Sequence, residues 1–129
     1  MESRAMQIQM LKCKIHRAVL TACELNYQGS LSIDRDILDA AGILPYEKIL
    51  VVNQTNGQRL ETYAIEAPRG SREFCLNGAA ARLGQPGDMV TIMAFALMSP
   101  EEAATHVPRV AVLSESNRRV DVISGVSNG

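Results

Sequence analysis

With 129 residues and a formal net charge of −1, the chain has the length of one domain and carries no excess positive charge that would attract nucleic acid. Apolar residues make up 47% of the sequence and charged residues 21%, the balance of a globular domain with an aliphatic core. No apolar run reaches the roughly 18 residues of a transmembrane helix and the N-terminus lacks a signal-peptide core, so we expect a cytoplasmic protein without a membrane partner.

The three cysteines, Cys13, Cys23 and Cys75, are odd in number and form no Cys-x-x-Cys motif. This spacing argues against a disulfide framework and against a zinc site. We therefore expect reduced cysteines that fill the core, a reducing compartment and no metal site.

Alternating and continuous apolar runs predict a β-rich chain. The predicted strands lie at residues 11–20, 30–33, 49–52, 58–65, 89–97 and 109–113. Asn56-Gly57 is typical of a two-residue hairpin turn with positive φ at both positions. Residues 114–129 are small and polar apart from residues 120–123, and we expect them to form a mobile tail.

Short helical segments interrupt the strands. Asp34 and Gly42 bracket a helix as its N-cap and its left-handed C-terminal residue. Ser99 and Glu102 have the spacing of a capping box at the start of another helix. An alanine-rich turn, which Asn77 is predicted to cap, lies between them in the chain.

A weak internal repeat relates residues 40–51 to residues 81–91. Each copy contains a helix end, a loop, an acidic turn and an apolar strand. Several short strands, little helix and this repeat favour a small closed β-barrel, because closure removes exposed strand edges. The predicted class is therefore all-β with short helices, and the pattern alone leaves a barrel and a sandwich both open.

Two Gly-Ser pairs, Gly29-Ser30 and Gly70-Ser71, have the composition for backbone chemistry, although most such pairs are plain turns. A serine hydroxyl over the preceding carbonyl can convert the amide to an ester, and β-elimination then breaks the chain. The serine becomes dehydroalanine and, after loss of ammonia, a pyruvoyl group. A preceding glycine helps because it can adopt strained backbone angles. The resulting ketone can capture an amine substrate, as pyridoxal phosphate does elsewhere.

Five sequence blocks distinguish the Gly29-Ser30 pair from the Gly70-Ser71 pair. The blocks are LKCKIHR at 11–17, YQGS at 27–30, TNGQR at 55–59, TYAI at 62–65 and NGAAA at 77–81. In this order they resemble the bacterial aspartate 1-decarboxylases, and the resemblance extends from about residue 10 to about residue 112. It implies a six-stranded double-psi β-barrel that assembles as a homotetramer, and an enzyme that makes β-alanine for pantothenate biosynthesis.

By this resemblance the chain cuts itself between Gly29 and Ser30. A short fragment, residues 10–29 after an N-terminal extension of residues 1–9, would accompany a longer fragment, residues 30–129, that begins with the pyruvoyl group. That covalent group would be the cofactor for converting L-aspartate to β-alanine and CO₂, without metal or pyridoxal phosphate. Whether a maturation partner is needed stays open.

The resemblance also implies residue roles. Ser30 and Tyr63 would be catalytic, with Tyr63 as the proton donor to the α-carbon. Thr62 would join Gly29 and Ser30 in self-cleavage by stabilising the oxyanion. The expected substrate-binding residues are Lys14, His16, Tyr27, Arg59, Asn77, Gly78, Ala79 and Ala80. A guanidinium suits a carboxylate because it offers two parallel donors, and Lys14 would add a second positive charge.

A straight strand would separate Arg59 from Tyr63 by about 13 Å and would point Thr62 and Tyr63 to opposite faces. A four-carbon substrate cannot span that distance. The reach of arginine, a twist, a bulge or a neighbouring subunit must close the gap. We therefore predict sites at subunit interfaces.

Two alternative functions remain open on the residues alone. The first is an uncleaved barrel that acts as a non-catalytic binding or assembly module. The second is a pyruvoyl-dependent decarboxylase of another amino acid, whose identity would depend on the cations that bind its carboxylates. Cleavage of the chain at residue 30 distinguishes the first alternative from the enzyme.

Overall fold

The structure is a computed structural model that describes residues 6–125, and within them it contains nine strands. Strands β1 to β9 span Ile8–Val19, Ala22–Glu24, Ser30–Asp34, Lys48–Asn53, Arg59–Ala67, Phe74–Asn77, Met89–Met98, Arg109–Ser114 and Arg119–Ser124. Helix α1 spans Arg35–Ala41, helix α2 spans Pro100–Thr105, and a 3-10 helix spans Gly78–Leu83. The predicted all-β class with short helices is confirmed, with nine strands where the resemblance implied six.

The strands form one curled sheet in the order β2-β6-β3-β5-β4-β7-β1-β8-β9. Only residues 20 and 21 join β1 to β2, yet β2 is first and β1 seventh in that order. Neighbouring strands lie about 4.8 Å apart, so two residues cannot reach across an open sheet of this width. The sheet therefore curls into a barrel. Leu20 N donates to Asp88 O and Thr21 N donates to Phe74 O, both at 2.8 Å, at this corner.

Aliphatic side chains fill the interior of the barrel. Helix α1 packs Ile37, Leu38 and Ala41 against it, each 0% exposed. The other fully buried large side chains are Ile15, Leu20, Leu31, Ile33, Ile43, Ile49, Phe74, Leu76, Ile92 and Leu113. Because side chains alternate along each strand, this inward set fixes which residues point outward.

The internal repeat is visible in the backbone hydrogen bonds. Residues 46–47 exchange a pair of bonds with Ala64, at 2.7 and 3.0 Å. Residues 87–88 exchange the same pair with Leu20, both at 2.8 Å. The two repeated segments therefore form the same pair of backbone hydrogen bonds with their partner residues, which agrees with the predicted internal repeat.

Both predicted helix boundaries are confirmed. The Asp34 carboxylate accepts from the backbone N–H of Asp36 at 2.8 Å, and Gly42 ends α1 with a φ of 84°. Ser99 and Glu102 form both bonds of a capping box at the start of α2. No helix within residues 6–125 has the length and apolar character to cross a membrane.

The connection between β4 and β5 differs from the predicted two-residue turn. The Asn53 side chain accepts from the backbone N–H groups of Thr55 and Asn56, at 2.9 and 3.3 Å, and widens the loop to residues 54–58. Gly57 has a φ of 79°, whereas Asn56 does not have a positive φ. The prediction of positive φ at both positions is wrong because the Asn53 side chain organises the turn.

The C-terminal region also differs from the prediction of a mobile tail over residues 114–129. Strand β9 pairs antiparallel with β8 from Arg119 opposite Ser114 to Ser124 opposite Arg109. The apolar residues Val120, Val122 and Ile123 belong to this strand, and Val120 packs against the core. At the other end, residues 8–9 of the expected extension already belong to β1. Residues 1–5 and 126–129, on which the rest of these expectations fall, lie outside the described residues.

Candidate active site

Strand register makes Ser30 and Tyr63 neighbours. β3 and β5 run parallel with Leu31 opposite Ala64, so the residues one step earlier on each strand lie side by side. Leu31 and Ala64 point into the core, so Ser30 and Tyr63 share the outer face. Both line a cleft of about 460 Å³. The other lining residues are Tyr27, Gln28, Pro45, Tyr46, Ile65 and Glu66.

Ser30 is fully buried at the base of this cleft and is held by hydrogen bonds on both sides. Its hydroxyl donates to the Gln28 carbonyl at 3.3 Å and accepts from Asn77 Nδ2 at 3.0 Å. The same Nδ2 donates to Ser32 Oγ at 2.8 Å, and Asn77 Oδ1 accepts from the Cys75 thiol at 3.2 Å. We refer to Ser30, Ser32, Cys75 and Asn77 as the Asn77 cluster.

The Asn77 side chain has a different role from the predicted helix cap. Asn77 does occupy the N-cap position of the 3-10 helix, but its side chain makes no capping hydrogen bond. Both ends of the amide are already bonded within the Asn77 cluster. The first residues of the helix therefore start directly beside Ser30. Of these, Ala79 is exposed and Ala80 packs partly against the core.

Gly78 lies in close backbone contact with the turn that precedes Ser30. Its φ is 66°, and a Cβ placed there would lie 2.7 Å from both the Gly29 nitrogen and the Tyr27 carbonyl oxygen. Gly29 does not have a positive φ, and a Cβ there would meet only the Asn77 carbonyl oxygen at 4.0 Å. The chemistry of the Gly-Ser pair predicts strained backbone angles at Gly29. The structure instead places the requirement for glycine at Gly78, where the chain folds back over the 27–29 turn.

The second Gly-Ser pair occupies an ordinary exposed turn. Gly70 has a φ of 80° with no atom within 4 Å of a Cβ placed there. The exposed Ser71 accepts from the backbone N–H of Glu73 at 3.3 Å. Burial and side-chain contacts therefore distinguish Ser30 from Ser71, which the dipeptide alone could not.

The expected substrate-binding cations lie on the same outer face but away from the cleft. Lys14 on β1 pairs with Met93 of β7, and Arg59 at the start of β5 pairs with Val52 of β4. Since β4 and β7 separate β5 from β1, the backbones of the two cationic residues are about 14 Å apart. Neither side chain lines the cleft within a single chain. Neither forms an ion pair within residues 6–125.

The register of β5 also fixes Thr62 and Tyr63 on opposite faces. β4 and β5 pair continuously from Lys48 opposite Tyr63 to Val52 opposite Arg59, without the bulge that the sequence analysis left open. Thr62 lies opposite the buried Ile49 and faces inward. Within one chain, Thr62 therefore does not line the cleft that contains Ser30 and Tyr63.

His16 is half-buried on β1, two residues from Lys14, and does not line the cleft. Within the described residues its buried Nδ1 has no hydrogen-bond partner. Burial lowers the pKa of His16, and the positive charges of Lys14 and Arg17 lower that pKa further. His16 is therefore neutral near pH 7. In contrast, the ring of His106 bonds the Leu11 carbonyl at 2.7 Å.

Sequence reasoning missed Ser32 and assigned Cys75 only to the core. Burial raises the pKa of Cys75 to about 11, so its thiol is protonated and can donate a hydrogen bond at neutral pH. The signal that could have identified both residues is the two-residue spacing, Ser30 to Ser32 and Cys75 to Asn77, which places each pair on one face of a strand. Among residues 6–125, no three His, Cys, Asp or Glu side chains converge on a possible metal site.

Comparisons with known proteins agree on one family. The sequence model described as aspartate decarboxylase matches residues 6–120. A relative from Maricaulis maris named aspartate 1-decarboxylase is 57% identical over 113 residues, which cover 88% of this chain and 93% of the relative. Relatives of the same name from Pelotomaculum thermopropionicum and Bacillus subtilis are 52% and 55% identical, and the matches cover 96% and 84% of this chain and 94% and 86% of the relatives. The chain belongs to the aspartate decarboxylase family.

Proposed function

We propose that this chain is a self-processing aspartate 1-decarboxylase, which converts L-aspartate to β-alanine and CO₂ with a pyruvoyl group made from Ser30. The observation that carries the proposal is the burial of Ser30, 0% exposed, between Asn77 and the backbone of residues 27–29. The name shared by the relatives supplies the substrate and the reaction. The product would serve pantothenate biosynthesis.

Self-cleavage begins with attack of Ser30 Oγ on the carbonyl carbon of Gly29. The C–N bond breaks, the hydroxyl proton passes to the Ser30 nitrogen, and an ester joins the two residues. Loss of the Ser30 α-proton to a base then breaks the Cβ–Oγ bond and releases the Gly29 carboxylate. Water replaces the Ser30 nitrogen, which leaves as ammonia. Asn77 Nδ2, which donates to Oγ, would hold this oxygen in position and support negative charge that develops on it.

The surroundings of residue 30 fit the group that this cleavage forms. The Asn77 amide and the Ser32 hydroxyl provide polar contacts at a buried position, and Tyr63 lies beside it in the cleft. The pyruvoyl group supplies a ketone that captures the substrate amine and accepts the electron pair left behind by CO₂. The Tyr63 hydroxyl would give a proton to the substrate α-carbon. Cleavage after Gly29 would also free Tyr27 and Gln28 to move and admit the substrate.

We further propose that a second copy of the chain supplies the positive charge that aspartate requires. The described residues that line the cleft include one carboxylate, Glu66, and no Lys or Arg. Glu66 is paired with Arg35 at 3.0 Å, whereas Lys14 and Arg59 are on the same outer face without ion-pair partners in residues 6–125. A homotetramer with each cleft at a subunit boundary would bring such cations to Ser30.

The same face carries apolar side chains suited to association. Phe95 and Leu97 on β7 are 40% and 62% exposed. Exposed apolar groups that lie close together are typical of interfaces between proteins. Strand β7 pairs with β1, where Lys14 lies opposite Met93, which supports a contact that includes both features.

Mass spectrometry and turnover together test the proposal. Purified protein should contain fragments 1–29 and 30–129, and the longer one should lack a free amine and react with carbonyl reagents. Incubation with L-aspartate should yield β-alanine and CO₂. Ser30→Ala should remain uncut and inactive, whereas Ser71→Ala, the matched control in an exposed turn, should be cut normally. An intact wild-type chain without turnover after prolonged incubation contradicts the proposal.

A further inference from the structure

The Asn77 cluster forms a closed arrangement across two strands. Ser30 lies opposite Asn77 and Ser32 lies opposite Cys75 in the antiparallel β3–β6 pair. All four residues are buried, with 0%, 3%, 8% and 4% of their surfaces exposed, in the order just given. Side-chain bonds link Cys75 to Asn77 Oδ1 and Asn77 Nδ2 to both serines. The amide is therefore held at both of its ends.

The direction of these bonds depends on one residue of the cluster. A serine hydroxyl can donate or accept, so Ser30 and Ser32 would accommodate either orientation of the Asn77 amide. The protonated Cys75 thiol donates to Oδ1 at 3.2 Å, which favours the orientation in which Oδ1 faces it. With Oδ1 facing Cys75, the NH₂ group must face the serines. The Ser30 hydroxyl then accepts from Asn77 and directs its own proton to the Gln28 carbonyl.

We propose that Cys75 is a positioning residue for the cleavage at Ser30, which it serves by holding the Asn77 amide with its NH₂ group toward Ser30 Oγ. This inference rests on the proposed self-cleavage. It differs from a packing role, because it requires the hydrogen-bond donor of residue 75 and not only its volume. Ser32 assists as the acceptor for the second N–H of the same group. The raised pKa of Cys75, about 11, keeps the thiol protonated at neutral pH.

The test compares cleavage rates of freshly purified precursors by mass spectrometry. Cys75→Ala removes the donor and should slow cleavage about fivefold or more, the effect of one lost buried hydrogen bond. Cys75→Ser keeps a donor in a side chain of similar shape, and although its hydroxyl can also accept, that donor should make cleavage measurably faster than in Cys75→Ala. Cys23→Ala is the matched control. Cys23 lies on the adjacent β2, and its thiol donates to the Gly84 carbonyl at 3.5 Å, outside the cluster, so its rate should equal that of wild type.

The outcomes separate this inference from the proposed function. If wild type is cut and Cys75→Ala is cut at the same rate, or Cys75→Ser is as slow as Cys75→Ala, the positioning role is wrong while the self-cleavage stands. If wild type is not cut, the proposed function fails, and NMR of asparagine-labelled Ser30→Ala protein still tests the cluster. In that protein, Cys75→Ala should shift the Asn77 side-chain amide signals and speed their hydrogen exchange. Unchanged signals would contradict the inference.

Discussion

Gly78 shows how one missing side chain shapes the surroundings of Ser30. Gly78→Ala would force a left-handed φ on alanine and drive its Cβ into the Gly29 nitrogen and the Tyr27 carbonyl oxygen. We expect a loss of roughly 2 kcal/mol or more in the free energy of unfolding. We also expect slower cleavage, because the 27–29 turn must shift. Denaturant unfolding of an uncleavable Ser30→Ala background and cleavage assays of the single variant measure the two effects.

Gly57→Ala provides the control for that comparison. Gly57 also has a positive φ, 79°, but nothing lies within 4 Å of a Cβ placed there. It should lose only about 1 kcal/mol of stability and be cut at the wild-type rate. Equal cleavage rates for the Gly78 and Gly57 variants would mean that the close approach at Gly78 does not position the scissile bond.

His16 should make the folded state sensitive to mild acid. Its pKa in the folded chain is below the ordinary 6.5, so the unfolded chain binds the proton first as the pH falls. Stability is then complete above about pH 6.5 and declines as the pH falls through the folded pKa. Melting temperatures measured from pH 7.5 to about 5 should show this decline.

His16→Gln should reduce the decline, because it removes the titrating group. The matched variant His106→Gln keeps His16 and should retain the pH slope, whatever its effect on overall stability. A slope that persists unchanged in His16→Gln would assign the acid sensitivity to other groups.

At the scale of residues, the sequence predicted which residues belong to the candidate site better than it predicted the contacts between their side chains. Ser30 and Tyr63 carry the block resemblance, and the structure places them side by side. Cys75 could not be recognised as a partner of Asn77, because its role depends on the pairing of β3 with β6, which residues distant in the chain establish. The positions of Lys14, Arg59 and Thr62 relative to the cleft depend on strand order in the same way. Their predicted roles remain predictions that concern the assembled oligomer.

Among the elements, helix α1 is connected to the loop before β6 by exposed ion pairs of Arg69 with Asp36 and Asp39 and by the buried Asp34 carboxylate. The Asp34 carboxylate is fully buried and accepts from the backbone N–H groups of Asp36, Gly70 and Arg72, at 2.8, 3.1 and 2.7 Å. Asp34→Ala should lower the free energy of unfolding by roughly 3 kcal/mol, because it removes the cap and leaves the loop donors unpaired. Denaturant titration of the uncleavable background measures the change.

Ser99→Ala is the comparison for an isolated cap. Ser99 caps the exposed helix α2 and bonds only within that helix boundary, so its loss should cost about 1 kcal/mol. If the two variants lose the same stability, Asp34 acts only as a helix cap and does not anchor the 69–72 loop.

Elements whose ends are set by neighbouring residues were predictable. The caps of α1 and α2 depend on side chains within three residues, and both were confirmed. The hairpin after β4 was wrong because Asn53, outside the predicted turn, bonds into it. β9 was missed because its three apolar residues are too few to indicate a strand until β8 is available to pair with them.

For the whole molecule, the proposal of shared sites predicts that two inactive variants complement each other. Ser30→Ala lacks the reactive group and Arg59→Ala lacks the carboxylate-binding cation. If each site takes Ser30 from one subunit and Arg59 from another, co-expression should restore about a quarter of wild-type activity by random pairing. Sites contained within one chain would give no restoration. Each variant expressed alone should stay inactive. Co-expression of wild type with Ser30→Ala is the control, because it measures how far activity falls when active subunits are mixed with inactive ones.

Strand β1 lies inside the sheet, with β7 on one side and β8 on the other, and it belongs to the piece that cleavage after residue 29 would separate. That piece could not leave without disrupting the sheet, so a cleaved molecule would keep its shape through non-covalent contacts alone, which are the strand hydrogen bonds and the core packing of side chains such as Ile15. Refolding, however, would change from a unimolecular to a bimolecular reaction, because two polypeptides would have to associate before the barrel could close. The intact precursor would thus fold as a single chain before cleavage. The cleaved protein would then persist chiefly because its rate of unfolding is low.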